Sequence, residues 1–187
     1  MKFHFWRILS ACLLIAALTG PSSAQSAAGS KGPILLTVSG AVDKPNRGPF
    51  DPFGDAFAKH QGIKFDKATT FDLAALEALG TRSFTVKYPD WDKAHSFEGP
   101  LMKDVLVAAG AQGKLFRVLG IDGYRQEIPP ADLATYPVIL AIKMDGAYLG
   151  AGGRGPINLI YPYDDFPALK EGTDAKWVWG TYHIQVE

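Results

Sequence analysis

The sequence predicts an α+β fold, a single domain of mixed, mainly antiparallel sheets with short helices between the strands. Three observations support this prediction. Short runs rich in strand-forming residues recur along the chain. Two Asp-Gly pairs, at Asp122-Gly123 and Asp145-Gly146, mark tight hairpin turns. Only two or three segments have helical periodicity, and the length of the chain suits one domain with an ordinary core.

Residues 1–24 are predicted to be a secretory signal peptide. They combine basic residues, an apolar run from Ile8 to Leu18, and small residues before Gln25. The apolar run is shorter than the roughly 20 residues that a membrane-spanning helix needs. We therefore expect residues 25–187 to form the mature domain, located in the periplasm without direct membrane insertion.

The first half of the mature chain is predicted to hold two strands, one helix and one long excursion. "ILLTVSG", ending at Gly40, is a short apolar run typical of a strand. Residues 42–69 contain three prolines and three glycines among aromatic residues, which predicts an irregular excursion. "TTFDLAALEALG" predicts a helix with Thr70 as its N-cap and Gly80 at its end, and "RSFTVKYP" predicts a strand.

The second half is predicted to alternate hairpins with short helices. "GPLMKDVLVAAG" has one apolar stripe and ends at Gly110, as an amphipathic helix does. "KLFRVLGIDGYRQEIP" and "VILAIKMDGAYL" are predicted hairpins on the two Asp-Gly turns, and "PADL" is a short helix. "INLIYP" and "DAKWVWGTYHIQVE" are predicted to be the last two strands.

The C-terminal strand has an unusual distribution of aromatic residues. Strict alternation of side chains divides it into two faces. One face holds an apolar set and the other holds two tryptophans with polar residues: Val178, Tyr182, Ile184 and Val186 against Trp177, Trp179, Thr181 and His183. Tryptophans on the polar face suggest a binding surface, although tryptophan is also highly buried on average and could cover the domain's own helices.

Several classes of chemistry are excluded or disfavoured by composition. The only cysteine, Cys12, lies in the predicted leader, so the mature domain can form neither a disulfide nor a thiolate–metal bond. His60, His95 and His183 are too widely spaced to predict a zinc site. No Gly-x-Ser-x-Gly elbow or phosphate-binding glycine loop is present. Removal of the basic leader leaves a slightly acidic chain, which gives no reason to expect a nucleic-acid partner.

A candidate binding site can be assembled from the glycine-rich loop and the exposed aromatic residues. "GAGGRGP" places Arg154, a planar five-donor group, among glycines that allow close approach of a ligand. Trp91 lies in a polar segment, and "YPYDDFP" supplies Asp164 and Asp165. Aromatics, an arginine and carboxylates together suit a flat, nitrogen-rich heterocycle. The alternatives are a flexible turn with a solvated arginine, and a simple Asp-Asp turn.

The second half of the sequence resembles a known family. "FEGPLMKDVLVAAGA", "IDGYRQEIPPADL", "YPVILAIKMDGAYL", "RGPINLIYPYDD" and "WVWGTYHIQVE" occur in the order seen in the sulfite-oxidase-fold, molybdopterin-binding domain family, most closely in its small secreted members. The resemblance covers about Phe71 to Glu187 and implies a sulfite-oxidase-type molybdopterin-binding fold. Within it, Arg154-Gly155-Pro156 and the terminal pattern of Val178, Trp179 and Ile184 match the small members.

The resemblance implies a pterin ligand more strongly than it implies catalysis. The family's oxidoreductases hold molybdenum through a cysteine thiolate, and the mature chain has no cysteine. Some cysteine-free proteins similar to this one bind a pterin in the periplasm and signal to the periplasmic domain of a membrane-bound enzyme that makes or degrades cyclic di-GMP, which influences biofilm formation. A pterin or molybdopterin-like ligand without molybdenum is therefore expected.

Three hypotheses follow from the sequence. In the first, the protein is a non-catalytic pterin receptor whose site is formed by Trp91, Tyr124, Arg154, Gly155, Asp164, Asp165, Trp177 and Trp179. The tryptophans would stack on the ring, an aspartate would accept its paired N–H donors, and Arg154 would donate to a carbonyl or an anionic tail. In the second, it is a molybdopterin-dependent oxidoreductase. In the third, it is an interaction module without a ligand, its tryptophans being partner anchors.

Overall fold

The computed structural model describes residues 32–88, 91–170 and 176–187. The predicted leader, residues 1–24, lies outside the described residues. None of the helices in these three ranges is long and apolar enough to cross a membrane.

The described chain is a mixed α/β structure in which most strand pairs are antiparallel, as the sequence predicts. A five-stranded sheet has the order β2-β1-β11-β5-β6, a four-stranded sheet the order β3-β4-β8-β9, and β7 pairs with β10. The strands are β1 Ile34–Gly40, β2 Ala68–Asp72, β3 Arg82–Val86, β4 His95–Gly99, β5 Phe116–Gly120, β6 Arg125–Ile128, β7 Ile139–Ala141, β8 Lys143–Met144, β9 Ala147–Tyr148, β10 Asn158–Ile160 and β11 Thr181–Val186. The helices are α1 Ala56–His60, α2 Leu73–Glu77, α3 Met102–Ala109, α4 Pro130–Thr135 and α5 Pro167–Lys170.

Several local predictions are confirmed. Helix α3 buries its apolar stripe and ends at Gly110, which has the left-handed conformation with φ of 65°. The hairpins β5–β6 and β8–β9 turn at the two Asp-Gly pairs. At the second turn Asp145 and Gly146 both have positive φ, the conformation that a two-residue hairpin loop requires.

The predicted N-cap at Thr70 is wrong. Residues 68–72 form strand β2, which pairs antiparallel with β1, and helix α2 begins only at Leu73. Asp72 is the N-cap, and its Oδ1 accepts the N–H of Ala75 at 2.8 Å. Thr70 is buried in the sheet, where its hydroxyl donates to Asn46. Burial against β1 therefore outweighs the local capping signal.

The predicted C-terminal strand is also shorter than expected, and its alternation is broken. Trp177 and Trp179 precede β11 and lie in the approach to it. Inside the strand, Thr181 pairs with Gly120 and His183 with Leu119, so Tyr182 is the extra residue of a β-bulge. Tyr182 consequently lines the same pocket as His183 instead of joining Ile184.

Two hydrophobic clusters cover the five-stranded sheet. The large one contains the buried side chains of α3, β7, β10 and the inward face of β11. The small one is formed by Ala58, Ile63, Phe65, Ala68 and Leu119, with Phe50 and Tyr182 packed against it. The excursion predicted over residues 42–69 ends at residue 67, because Ala68 begins strand β2. Residues 42–67 form a second layer packed against this sheet, which includes the short helix α1.

His183 makes stability depend on pH. Its side chain is 1% exposed, its Nε2 lies 2.8 Å from Ser39 Oγ, and burial lowers its pKa to about 4. At pH values between about 4 and the ordinary histidine pKa near 6.5, His183 binds a proton in the unfolded chain but not in the native chain. The free energy of unfolding should therefore fall as the pH is lowered through this window, by on the order of 3 kcal/mol at its acid end.

Urea unfolding from about pH 7.5 to about pH 4 measures this slope. The His183→Gln variant supplies the control, because it keeps a hydrogen-bonding group beside Ser39 and removes the titration. We expect a flatter profile for the variant; identical slopes in the two proteins would contradict the assignment.

Candidate functional site

The glycine-rich loop brings Arg154 against two tryptophans. The Arg154 guanidinium carbon lies 4.8 Å from the ring centroid of Trp91 and 4.2 Å from that of Trp179, over the face of each ring. Both indoles therefore flank one planar cation. Each such contact stabilises the arrangement by about 0.5–2 kcal/mol, more where the cation is desolvated.

Backbone hydrogen bonds hold the loop beside the C-terminal approach. The N–H of Gly180 donates to the carbonyl of Arg154 at 3.0 Å, and the N–H of Thr181 donates to Ile157 at 2.8 Å. On the other side, Ile121 N–H donates to Gly180 at 3.0 Å. The loop, the start of β11 and the end of β5 are thus tied together, and the side chains of Arg154 and Trp179 face each other as a result.

Trp91 is supported from beneath by the core. Its ring centroid lies 5.4 Å from that of Trp177 at an interplanar angle of 72°, and 5.9 Å from that of Tyr88. Trp177 is only 5% exposed, whereas Trp179 is 45% exposed. The two C-terminal tryptophans therefore have different environments: Trp177 belongs to the hydrophobic core, and Trp179 remains at the surface over Arg154.

A pocket of about 410 Å³ opens beside this stack. It is lined by Trp91, Asp92, Lys93, His95, Met144 and Arg154. His95 Nδ1 lies 2.7 Å from Asp145 Oδ2, and the Ser96 N–H donates to the other oxygen of that carboxylate. The contact with His95, followed by the Ser96 N–H, lowers the pKa of Asp145. The pocket therefore has Trp91 as an aromatic wall and charges of both signs, whereas Trp179 contacts Arg154 without lining the pocket.

The other predicted site residues lie elsewhere. Asp164 Oδ2 accepts a hydrogen bond from the backbone N–H of Lys87 at 2.7 Å. The backbone N–H of Asp165 donates to the carbonyl of Pro162 and closes a turn. Neither carboxylate lines the pocket of about 410 Å³. Tyr124 is exposed in the β5–β6 hairpin, where its hydroxyl donates to Gln126 at 3.3 Å. Of the predicted residues, Trp91, Arg154 and Trp179 are brought together, with Gly155 adjoining them in the loop.

Four residues that line the pocket were not predicted from the sequence. Asp92, Lys93 and His95 lie immediately after Trp91, and Met144 comes from β8. The charged residues around Trp91 were a usable signal, but the pairing of β4 with β8 that brings Met144 close is not readable from local pattern. In the described ranges, no group of three or more His, Cys, Asp or Glu side chains could hold a metal ion.

Comparison with known proteins gives no matching family and no matching curated protein. Among solved structures, the chain is similar to the sulfane dehydrogenase SoxCD from Paracoccus pantotrophus, with 15% identity and a TM-score of 0.54. The match covers 81% of this chain and 37% of that one. At this identity the likeness concerns the fold alone, and it is consistent with the sulfite-oxidase-type fold that the sequence motifs predict.

Gly155 should be required for this geometry. A Cβ at residue 155 would lie 2.5 Å from Leu149 Cβ and 2.6 Å from its carbonyl carbon, so backbone would have to move. Gly155→Ala is expected to lower the free energy of unfolding by about 1–3 kcal/mol and to disturb the indole–guanidinium contacts. Urea unfolding and the tryptophan emission spectrum measure the two effects.

Gly150→Ala is the matched control, because a Cβ there meets no atom within 4 Å. It should change the free energy of unfolding by less than about 0.5 kcal/mol. If both variants lost the same free energy of unfolding, the close approach of Leu149 to residue 155 would not be the cause of the loss.

Proposed function

We propose that this protein is a periplasmic, non-catalytic pterin-binding protein whose ligand stacks between Trp91 and Trp179. One observation carries the proposal: two indoles face a single planar group, the Arg154 guanidinium, at 4.8 and 4.2 Å. A guanidinium is flat and delocalised, as a pterin ring is. The site therefore already holds, with a side chain of its own, the kind of group that the proposed ligand would present.

Arg154 changes its partner when the ligand binds. The pterin ring takes the place of the guanidinium between the indoles, and the guanidinium moves to the ring's edge. There its fork of N–H donors meets a ring carbonyl or an anionic tail. Lys93, which lines the same pocket, supplies a second cation for such a tail.

Stacking alone is too weak to explain a useful affinity. Each ring face contributes about 1–3 kcal/mol by analogy with nucleobases, whereas micromolar affinity needs about −8 kcal/mol. Hydrogen bonds must supply the remainder. Asp92 lines the pocket and is better positioned than Asp164 or Asp165 to accept the paired N–H donors of the amino-pyrimidinone edge.

The ligand's presence is reported to a partner protein. We infer that the partner is the periplasmic domain of a membrane-bound enzyme that makes or degrades cyclic di-GMP, because the sequence motifs resemble those of small periplasmic pterin binders. Trp179 is 45% exposed, so a change in its position on ligand binding alters a surface that a partner can contact.

Removal of the exposed indole should weaken pterin binding. Trp179→Ala is expected to raise the Kd for a pterin by about tenfold or more, because one stacking face is lost, while the fold is retained. Fluorescence titration with a set of pterins measures the Kd, and circular dichroism checks the fold. Phe53→Ala is the control, since Phe53 is an aromatic residue, 94% exposed, that neither takes part in the stack on Arg154 nor lines the pocket.

The same titration tests the edge contact. Asp92→Asn should raise the Kd by about tenfold, the loss expected for a charge-assisted bidentate contact, and Asp165→Asn should leave it unchanged.

If Trp179→Ala binds every pterin as the unmodified protein does, Trp179 is not part of the site. If no pterin raises the melting temperature of the unmodified protein, an interaction module without a ligand becomes the better account.

A molybdopterin-dependent oxidoreductase is the second candidate, because the sequence motifs resemble those of the sulfite-oxidase-fold family, whose fold the likeness to a sulfane dehydrogenase also supports. The residues present do not fit a thiolate-anchored molybdenum, because Cys12, the chain's single cysteine, lies in the predicted leader. The aromatic pocket fits the pterin portion alone.

Elemental analysis and mass spectrometry of the protein purified from the periplasm separate the two candidates. We expect a metal-free pterin to be released on denaturation. Molybdenum in a one-to-one ratio with protein would instead support the oxidoreductase.

A further inference from the structure

A histidine lines the pocket of about 410 Å³ from the start of strand β4. The centroid of the His95 imidazole lies 5.5 Å from that of the Trp91 ring, at an interplanar angle of 77°. The contacts proposed above for a pterin do not involve this imidazole. It is nevertheless the side chain of this wall that can either accept or donate a hydrogen bond, depending on its protonation.

The carboxylate of Asp145 holds the imidazole in place. Its Oδ2 lies 2.7 Å from His95 Nδ1, and its Oδ1 accepts the backbone N–H of Ser96 at 3.0 Å. The backbone N–H of Asp145 also donates to the Ser96 carbonyl at 2.8 Å. Asp145 is therefore anchored to strand β4 by its backbone and by its side chain, and it orients the ring of His95 through Nδ1.

This contact also decides which ring nitrogen carries the proton. The hydrogen bond with His95, followed by that from the Ser96 N–H, lowers the pKa of Asp145. An ionised carboxylate can only accept hydrogen bonds, so Nδ1 of His95 must be the donor. In the neutral imidazole the proton is then on Nδ1, and Nε2 has a lone pair that accepts a hydrogen bond.

The second ring nitrogen is accessible to a ligand. Within residues 32–88, 91–170 and 176–187, Nε2 of His95 makes no hydrogen bond, and it is not buried. The side chain as a whole is 23% exposed. Asp145 does not line the pocket, so the part of the ring that a ligand can reach is the part that does not face Asp145.

Protonation of the imidazole would change the charge of the pocket as well as its hydrogen bonding. Three other charged residues line the pocket: Asp92 and Lys93 from the segment before β4, and Arg154 from the glycine-rich loop. Asp145 faces the ring from the β8–β9 turn. Protonated His95 adds a third cation to Lys93 and Arg154, and its Nε2 becomes a donor.

We propose that His95 selects the ligand of this pocket by its hydrogen-bonding group, and that pH reverses the selection. The neutral imidazole accepts, through Nε2, an N–H of a flat ring that packs against Trp91. The protonated imidazole no longer accepts that N–H and favours an anionic group. Asp145 is the positioning residue. This inference deepens the proposed function and rests on it, because both require the same pocket to be the ligand site.

The test uses simple probes instead of a pterin. Indole and benzofuran have nearly the same shape, but only indole has a ring N–H, and benzenesulfonate is a flat anion. Each is titrated into the purified protein at about pH 8 and at about pH 5, limits between which histidine side chains change charge. Backbone amide shifts in NMR spectra give the Kd, and the largest shifts should fall at residues 91–96.

The two pH values should give opposite preferences. At the higher pH, indole should bind with a Kd about threefold or more below that of benzofuran, the worth of one hydrogen bond. At the lower pH this preference should disappear, and benzenesulfonate should bind about threefold more tightly than at the higher pH. Burial lowers the pKa of His183 to about 4, so that histidine remains largely neutral at both values.

The proton on Nδ1 can be observed directly. Long-range proton–nitrogen correlation spectra at about pH 8 should show that Nδ1 of His95 carries the hydrogen and Nε2 does not. Asp145→Asn removes the charge and keeps a residue type that tolerates positive φ. This variant should show a mixture of the two imidazole tautomers and a smaller preference for indole.

Two matched histidine variants separate this imidazole from the others. His95→Gln should remove the pH dependence of indole and benzenesulfonate binding. His60→Gln is the control, since His60 is an exposed residue of helix α1 outside the pocket, and it should leave both Kd values unchanged. The spectrum of the unmodified protein and the His95→Gln titration keep the test valid if Asp145→Asn fails to fold.

Equal Kd values for indole and benzofuran at the higher pH would overturn the proposal. So would a neutral tautomer with its hydrogen on Nε2, an unchanged pH dependence in His95→Gln, or the absence of shifts at residues 91–96 with all three probes. A pterin that binds while indole shows no preference would support the proposed function and overturn the role of His95. Probes that behave as expected while no pterin binds would do the reverse.

Discussion

The parallel pairing of β1 with β11 places the C-terminal strand inside the five-stranded sheet, with β5 on its other side. The backbone N–H and carbonyl groups of a strand in that position are hydrogen-bonded along both edges, so its register against both neighbours is fixed. The positions of Trp179 and Tyr182 both depend on this constraint. The residues that lead into β11 carry Trp179 to the glycine-rich loop, and the bulge at Tyr182 turns that side chain toward the excursion. A slip of one residue in β11 would exchange the side chains that face the excursion for those that face the large hydrophobic cluster.

The two tryptophans that contact Arg154 lie in different environments. Trp91 packs on Trp177 and Tyr88, so its ring is held by the core. Trp179 is 45% exposed, and its ring contacts the Arg154 guanidinium. One wall of the slot is therefore packed on the core and the other is partly exposed, with a guanidinium between them. This arrangement suits recognition of a flat molecule, because a ring that is already packed on the core limits the ordering cost of binding.

Short-range sequence patterns correctly predicted those turns and helix ends whose residues could not instead be buried in a sheet. The Asp-Gly hairpins and the end of α3 at Gly110 depend on backbone conformations that few residues adopt, and these predictions hold. The N-cap at Thr70 failed because the same residues could pair with β1, and the buried pairing is stronger than a cap. In the site, Arg154 and Trp179 could be selected because a planar donor among glycines and a tryptophan in a polar setting are unusual. Met144 could not, because only the pairing of β4 with β8 brings it to the pocket.

The sequence by itself determined the α+β class, the positions of the tight turns, and the residue types able to bind a flat heterocycle, since these follow from backbone preference and side-chain chemistry over a few neighbours. Only the tertiary structure decided which tryptophan is buried. Trp177 and Trp179 are two residues apart and locally equivalent, but one faces the aromatic core beneath Trp91 and the other faces Arg154. That difference arises from contacts with segments distant along the chain, and no short-range pattern contains it.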